Sequence, residues 1–295
     1  MDAYKKLVKK YNFLKALPFI LPFTIVYLIF LIFPIFRGLW ISLHRWTMVR
    51  KLDFVGLDNY LYMIKDPAFW ESLGNTLLFV VLSTPAIVIT GLVFALICNQ
   101  KIKGQLFLKI SFFLPYVLSV AVVSSIMVYL FQPHSGLLNS VLQNLGVDQT
   151  IYWLGQDTLA WFVIVFATLW WTVGFNMILY LAALQDIPKS FYEAAKVDGA
   201  TKFQELWHIT LPLLKPITWV VTLLQIIFSF KIFAQVWLIT GGGPGTATRP
   251  IVQYIYETSF KENSLGYGAS MAFTFFIVLV AVSVFQIYFR RRKEG

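Results

Sequence analysis

Residues 73–97 read LGNTLLFVVLSTPAIVITGLVFALI, with no charged side chain anywhere in the stretch. An α-helix needs about 20 predominantly apolar residues to cross the roughly 30 Å hydrocarbon core of a bilayer. This stretch satisfies both requirements, so it predicts a membrane-spanning helix.

Five further stretches meet the same criterion, and together they predict an all-α integral membrane protein with six spans. The predicted spans are Ala16–Leu43, Leu73–Ile97, Leu108–Phe131, Thr158–Leu184, Leu213–Thr240 and Gly268–Phe289. The first run is too long for a signal-peptide core and no small-x-small cleavage site follows it, so we expect it to remain as a span. We expect one transmembrane domain over residues 1–295.

The composition excludes an ordinary soluble protein. Of the 295 residues, 58% are hydrophobic and only 13% are charged, whereas soluble domains carry about 25% charged residues. The lone Cys98 cannot form an internal disulfide and is expected to be a small apolar filler. The net charge of +10 does not predict a nucleic-acid partner, because the charges lie between apolar runs rather than in a patch.

The distribution of positive charge predicts the orientation in the bilayer. Most of the 24 Lys and Arg residues lie in four alternate segments: Lys5, Lys6, Lys9, Lys10, Lys15; Lys101, Lys103, Lys109; Lys189, Lys196, Lys202, Lys215; and Arg290, Arg291, Arg292, Lys293. The three opposite segments hold only Arg45, Arg50, Lys51, Lys65, Arg249 and Lys261. Cytoplasmic segments collect positive charge, so both termini are predicted to be cytoplasmic.

The cytoplasmic loop at about residues 185–213 predicts a short exposed helix. Ser190 and Glu193 have the spacing of a capping box. Gly199 supplies the left-handed residue that ends a helix, and Leu211-Pro212 with Pro216 marks the entry to span five. Taken alone, such a helix would be an ordinary connection between two spans.

The same loop resembles the EAA loop of binding-protein-dependent ABC importer permeases. The shared pattern is Glu193-Ala194-Ala195, then Asp198-Gly199-Ala200, then Ile209-Thr210-Leu211-Pro212, with Leu206 where many relatives have Phe. In that family the loop helix docks on a cytoplasmic ATPase subunit. The resemblance therefore implies coupling roles for Glu193, Ala194, Ala195, Asp198, Gly199, Ala200, Ile209, Leu211 and Pro212.

Other segments are similar to carbohydrate-uptake permeases of the maltose and multiple-sugar type. They are Gly56-Leu57-Asp58-Asn59-Tyr60, Asp66-Pro67-x-Phe69-Trp70, Asn75-Thr76, the run from Thr240 to Gly245, and Gly266-Tyr267-Gly268-Ala269-Ser270. This resemblance implies import of a sugar or oligosaccharide across a bacterial cytoplasmic membrane. It also implies a second homologous permease subunit, two ATPase subunits that hold ATP and magnesium, and an extracellular solute-binding protein.

The sequence predicts no enzyme, cofactor or metal site on this chain. The run Gly241-Gly242-Gly243-Pro244-Gly245-Thr246 lacks the lysine of a P-loop and falls on the predicted external side, so it predicts a turn. His44, His134 and His208 have no metal-ligand spacing. No nucleophile motif or pair of acid–base carboxylates was found, so energy is expected from the partner ATPases.

Polar side chains inside the spans are candidates for substrate binding. Thr168, Thr172 and Asn176 recur every four residues in span four, with Trp171 and Phe175 beside them. Neutral hydroxyls and amides next to aromatic rings suit a sugar. The other candidates are Tyr116 in span three and four residues of span five: Gln225 and Ser229 on one face, and Phe228 and Lys231 on an adjoining face that also holds Gln235. The family pocket uses positions that match Tyr116, Thr168, Thr172, Phe175, Phe228 and Ser229.

Several alternatives remain open at this point. The same residue types also hold membrane helices together. Lys231 could contact an anionic cargo, pair with a carboxylate of another subunit, or extend toward the membrane boundary. The machinery could import a glycerophosphate-type ester instead of a sugar. An ion-coupled secondary transporter would usually show repeats or broken spans and carboxylates inside them, and no predicted span contains a carboxylate.

Overall fold

The computed structural model describes residues 17–100, 103–147 and 149–294, with side chains up to Tyr288. The predicted start of span one at Ala16 therefore lies outside the described residues. The same applies to the lysines before it, to Lys101, and to the side chains of the arginines after span six.

Helices make up most of the described chain. They are α1 Leu17–Ser42, α2 Asp58–Lys65, α3 Pro67–Cys98, α4 Gln105–Val117, α5 Val120–Leu130, α6 Leu137–Asn144, α7 Asp157–Asp186, α8 Lys189–Val197, α9 Lys202–Glu205, α10 Leu211–Phe230, α11 Ala234–Ile239, α12 Ile251–Tyr256 and α13 Leu265–Glu294. Wider π-helical turns occur at Leu28–Ile32 within α1, at Leu206–Thr210 before α10 and at Glu257–Lys261 after α12.

Four of these helices are long and apolar enough to cross a membrane: α1, α3, α7 and α13 over Leu265–Tyr288. Two further candidates are bent pairs, so the described chain has up to six spans. Helices α4 and α5 meet at 100°, and the stretch Lys202–Leu213 meets Lys215–Phe230 at 61°. Helix is interrupted inside two of the predicted spans, at residues 118–119 within Leu108–Phe131 and at residues 231–233 within Leu213–Thr240, while the 61° bend lies at the start of the latter.

A small β-hairpin also departs from the all-α prediction. Strand β1, His44–Trp46, pairs antiparallel with β2, Lys51–Phe54. The amide of Thr47 donates to the carbonyl of Arg50 at 3.0 Å and closes the turn. Asn59 Nδ2 donates to the carbonyl of His44 at 3.1 Å and holds the start of β1. The turn hydrogen bond between Thr47 and Arg50 and the side-chain hydrogen bond from Asn59 thus stabilise a hairpin, and not a helix, just beyond α1.

The described chain divides into two compact units. The first contains residues 17–66 and 255–277, and the second contains residues 67–254 and 278–294. A single domain over residues 1–295 stays a prediction. In the second unit, α3, α7 and α10 share a buried apolar core that includes Ala95, Met177, Tyr180 and Leu214. This core fixes the spacing of the helices that surround the cavity described below.

The Gly-rich run after α11 forms a packed turn, as predicted. Gly241, Gly242 and Gly245 have positive φ angles, which glycine adopts without steric cost. The hydroxyls of Thr240 and Thr248 lie 2.8 Å apart across the turn. Asn75 Nδ2 donates to the carbonyls of Thr246 and Arg249, each at 3.1 Å, so α3 anchors the turn.

Gly174 allows α7 to cross α4 at close range. A Cβ atom built there would lie 2.4 Å from the carbonyl oxygen of Phe112 and 2.7 Å from Cα of Phe113. Small residues at helix crossings are a common packing device in membranes. We expect Gly174→Ala to reduce the free energy of unfolding by about 1–3 kcal/mol, because backbone rather than a flexible side chain must move.

The matched control is Gly74→Ala. Gly74 is exposed within α3, and a Cβ atom there would have no neighbour within 4 Å. Its substitution is expected to be neutral or stabilising by up to about 1 kcal/mol, since alanine has the higher helix propensity. Thermal unfolding of the purified protein in detergent compares the two variants, and equal midpoints would contradict the close-crossing explanation.

Candidate functional site

The main candidate site is a cavity of about 460 Å³ in the second unit, lined mostly by α7, α10 and residues just beyond α10, with one residue each from α3 and α4. Its volume falls within the roughly 300–1,000 Å³ of small-molecule sites. All ten predicted substrate residues line it: Tyr116, Thr168, Trp171, Thr172, Phe175, Asn176, Gln225, Phe228, Ser229 and Lys231. Their convergence is a finding of the structure, while their contact with a substrate stays a prediction.

Two interruptions of helix inside the predicted spans lie at this cavity, and neither of them is the 61° bend at the start of α10. One separates α4 from α5 at Leu118 and Ser119, where the indole Nε1–H of Trp171 donates to the carbonyl of Leu118 at 3.1 Å. Ser119 caps α5 by accepting from the amide of Val122. The other break follows Lys231, which ends α10. Non-helical backbone at membrane depth is tolerated where protein groups or a water-filled cavity satisfy it.

The threonine stripe on α7 presents hydroxyl oxygens to the cavity. Thr168 Oγ1 donates to the carbonyl of Ile164 at 2.8 Å, and Thr172 Oγ1 donates to the carbonyl of Thr168 at 2.7 Å. Because each hydroxyl proton is used within the helix, the hydroxyl oxygens remain available as acceptors at the cavity lining. The arrangement suits hydrogen bonds donated by hydroxyl groups of a ligand.

A buried polar network joins α7, α10 and α3 at the wall of the cavity. Asn176 Nδ2 donates to Gln225 Oε1 at 3.1 Å, and Gln225 Nε2 donates to Ser229 Oγ at 3.1 Å. Ser229 Oγ lies 3.0 Å from Ser83 Oγ. Asn176, Gln225 and Ser229 are at most 4% exposed. These three predicted residues therefore hold helices together, which is the packing alternative left open by the sequence.

Aromatic rings form the more accessible part of the lining. Tyr116 and Phe175 stack with centroids 5.2 Å apart and an interplanar angle of 19°. Phe228 is 50% exposed. Lys231 Nζ lies 5.3 Å from the centroid of the Phe228 ring. The cavity thus combines ring faces, neutral oxygens and one ammonium group.

Sequence reasoning left Phe79, Ile232 and Gln235 out of the candidate set, yet all three line the cavity. Gln235 carried a usable signal, since it is a polar residue in an apolar run adjoining Lys231. Phe79 and Ile232 carried none, because a buried Phe or Ile in a membrane span has the same pattern whether it packs or lines a site.

A second candidate region is the exposed helix α8 and the turn that follows it. The prediction that Ser190 caps this helix is wrong. The N-cap is Pro188, with φ −60° and ψ 132°, and Ser190 lies inside the first turn without a capping bond. A capping side chain must precede the helix in extended backbone. The observed capping box is Thr201 with Gln204, at the start of α9.

The end of α8 agrees with the prediction. Gly199 has φ +76°, its amide donates to the carbonyl of Lys196 at 3.1 Å, and the amide of Ala200 donates to the carbonyl of Ala195 at 2.9 Å. This is the Schellman arrangement that glycine favours. No side chain of α8 is fully buried, and Phe191 and Val197 are exposed.

A groove of about 350 Å³ lies between α8 and α9. It brings together five of the nine predicted coupling residues: Ala195, Asp198, Gly199, Ala200 and Ile209. Glu193 and Ala194 are exposed on α8, whereas Leu211 and Pro212 begin α10. Gln204, Glu205 and His208 also line the groove and were not predicted.

One hydrogen bond connects α8 to the entry of α10. The hydroxyl of Tyr192 lies 3.0 Å from Thr210 Oγ1. Thr210 ends the π-helical turn, and its hydroxyl donates to the carbonyl of Glu205 at 3.3 Å. This hydrogen bond is a direct contact between α8 and the start of a cavity-lining helix.

Comparisons with known proteins agree on one class of protein. Residues 67–295 match the family described as the binding-protein-dependent transport system inner membrane component. The trehalose/maltose transport system permease protein MalF of Thermococcus litoralis is 36% identical over 90% of this chain and 90% of its own length. The sulfoquinovosyl glycerol transport system permease protein SmoG of Agrobacterium fabrum is 32% identical over 95% and 92%.

A solved structure is similar over nearly the whole chain. It is a bacterial alginate ABC transporter in complex with an alginate pentasaccharide-bound periplasmic protein. The matched chain is 25% identical, with a TM-score of 0.86 and coverage of 97% of this chain and 96% of its own.

Proposed function

The chain belongs to the family of binding-protein-dependent transport system inner membrane components, and we infer that it is the permease subunit of an ATP-driven importer of a sugar or oligosaccharide. Its curated relatives include permeases named for trehalose/maltose and for sulfoquinovosyl glycerol. The similar solved structure transports alginate. A sugar is the cargo class that these names share.

The importer contains further subunits. A second, homologous permease faces this chain and completes the path, two ATPase subunits dock on the cytoplasmic side, and a solute-binding protein delivers the cargo from outside. The chain crosses the bacterial cytoplasmic membrane six times, with each bent pair counted as one span and both termini in the cytoplasm. Support comes from the candidate spans, the charge distribution and the periplasmic protein bound to the similar transporter.

One observation carries this proposal: the two helices that contribute most of the predicted cavity residues are joined by the exposed helix α8. Helix α7 ends at Asp186, α8 follows at Lys189–Val197, and α10 begins at Leu211. An ATPase subunit that binds α8 therefore exerts force on both α7 and α10, the two helices that line most of the cavity. This connection turns ATP-driven closure of the ATPases into a change of the cargo path.

The coupling residues determine the shape of the groove between α8 and α9, where the ATPase subunit docks. Ala195 and Gly199 leave room at the groove between α8 and α9, and Gly199 sets the direction in which the chain leaves α8. Tyr192 passes the displacement to Thr210. ATP and magnesium belong to the partner subunits, and this chain contributes the mechanical link.

The cavity contacts a sugar with complementary groups. Hydroxyls of the sugar donate to Thr168 and Thr172, whose own protons are used within α7. Apolar faces of the pyranose ring pack on Tyr116, Phe175 and Phe228. Pockets of this kind combine apolar walls with a few placed polar groups. A glycerophosphate-type ester is a second candidate, favoured by the ammonium group of Lys231 in the same cavity.

Affinity purification from native membranes in mild detergent, with mass spectrometry of the co-purifying chains, tests the proposal. We expect a second multi-span permease and a P-loop ATPase in the same complex. Recovery of this chain alone, or only with itself, would remove the basis for the coupling role of α8 and favour a secondary transporter.

A further inference from the structure

Lys231 occupies a distinct place among the residues that line the cavity. Of the described lining residues it alone is charged, and neither an Asp nor a Glu accompanies it. Among the described residues it makes no ion pair. Its side chain is exposed within this chain, at the point where α10 ends. The part of the cavity lining that the described residues of this chain supply therefore has a net positive charge without a counter-ion of its own.

Two weak interactions explain how the ammonium is tolerated when the cavity holds no cargo. The ring of Phe228 lies 5.3 Å from Nζ, which is within the range of a cation–π contact. The carbonyl end of α10 adds a favourable dipole for a cation at this position. Neither interaction neutralises the charge as a carboxylate would, so the ammonium remains available to an arriving anion.

From this arrangement we propose that the cargo carries an anionic group, such as a carboxylate or a phosphate ester, and that Lys231 selects for it. A neutral sugar needs only neutral donors, acceptors and ring faces, all of which the cavity supplies without Lys231. A charge inside a membrane span is costly and marks a functional site by default. This inference rests on the proposed function, because it names the chemical class of the imported cargo.

The cavity geometry also limits where the charge sits on the cargo. Lys231 adjoins Phe228 and Ile232 at the break after α10, whereas Thr168 and Thr172 belong to α7. A cargo that packs on the rings and donates to the threonines thus places its anionic group toward the break. A sugar with one acidic substituent and otherwise neutral hydroxyls can contact both Lys231 and the two threonines.

The test uses the complete importer in proteoliposomes with its own binding protein. The probes are trisaccharides of glucose, galactose and mannose, each paired with the C6 carboxylate of the same sugar, together with glycerol and glycerol 3-phosphate. We expect the acidic member of a responding pair to stimulate ATP hydrolysis at the lower concentration. In Lys231→Met this preference falls by about tenfold, the effect of losing one charge-assisted hydrogen bond.

Two control variants, assayed with the same binding protein, distinguish the cargo preference of the permease from that of the binding protein. Because the binding protein is the same in every assay, a change of preference between variants reports on this chain. Lys231→Arg keeps the charge and should keep the preference. Lys215→Met removes an exposed ammonium from the other end of α10, outside the cavity lining, and should leave the preference unchanged.

Each of the remaining outcomes contradicts one stated element of the proposal: the role of Lys231, the anionic group or the sugar. An equal preference in the wild type and in Lys231→Met overturns the role of Lys231, and a complex that merely loses subunits in Lys231→Met points to a partner carboxylate instead. Stimulation by neutral sugars alone overturns the anionic cargo and leaves the sugar importer intact. Stimulation by glycerol 3-phosphate alone overturns the sugar and keeps the anion selection. Absence of stimulation by every probe, the acidic ones included, contradicts the anionic cargo and leaves the family membership of the chain intact.

Discussion

Gly199→Pro is expected to reduce cargo-stimulated ATP hydrolysis of the assembled importer by about tenfold, to the unstimulated rate. Allosteric coupling between two sites typically amounts to about 1–3 kcal/mol, or about 5- to 150-fold. Proline cannot adopt the φ of +76° observed at Gly199, and it lacks the amide that donates to Lys196. The exit from α8 must change, so the link from Tyr192 to Thr210 is displaced.

Gly146→Pro provides a control with the same backbone geometry in a different place. Gly146 has φ +89°, its amide donates to Gln143, and the amide of Val147 donates to Leu142. Neither glycine has a neighbour within 4 Å of a built Cβ atom. Gly146→Pro should therefore lower the local stability by a similar amount and leave the stimulation of ATP hydrolysis by cargo unchanged. If Gly199→Pro and Gly146→Pro hydrolyse ATP equally well with cargo present, α8 is not the coupling element.

The polar residues of the cavity on α7 and α10 were predictable because helical periodicity determines which residues of a helix share a face. Thr168, Thr172 and Asn176 recur every four residues, so they must lie on one side of α7 whatever the helix packs against. Gln225 and Ser229 follow the same rule on α10, and their side chains bond to each other. The sequence could not distinguish contact with cargo from packing between helices, since both use the same residue types.

The breaks in the spans were not predicted, for two different reasons. The end of α4 did carry a signal, because Pro115 lies within that helix and Ser119 is a good N-cap residue for the next one. The break after Lys231 carried none, since Lys, Ile and Phe at 231–233 include neither glycine nor proline. There, tertiary packing overrides local propensity, as the burial of Ile232 against α3 and α7 residues indicates.

Helix α8 shows how two local signals can compete. Ser190 and Glu193 have the spacing of a capping box, but Pro188 already supplies the extended residue before the helix. Once the helix begins at Lys189, Ser190 has helical backbone and cannot act as its cap. Thr201 and Gln204 satisfy the same pattern without a competing proline, and they form the box.

Thr172→Trp is expected to lower cargo uptake by about 10- to 100-fold while the unstimulated ATP hydrolysis persists. Thr172 lines the cavity of about 460 Å³, and a tryptophan side chain there would occupy the space between the threonine stripe and the aromatic rings. The indole takes volume that the cargo would need, and a loss of about 1.4–2.8 kcal/mol in the free energy of cargo binding corresponds to about 10- to 100-fold. Uptake of labelled cargo into proteoliposomes, with ATP hydrolysis recorded in parallel, measures both quantities.

Ile178→Trp is the matched control, because it places the same side chain on the same helix outside the cavity lining. Ile178 is exposed and lies six residues after Thr172, on another face of α7. Its substitution should leave uptake within about twofold of the wild type, as surface changes usually alter stability by under about 0.5 kcal/mol. Equal uptake by both variants would show that cargo does not pass the Thr172 face. Loss of ATP hydrolysis in Thr172→Trp as well would mean that the threonine stripe holds the helices together rather than receiving a sugar.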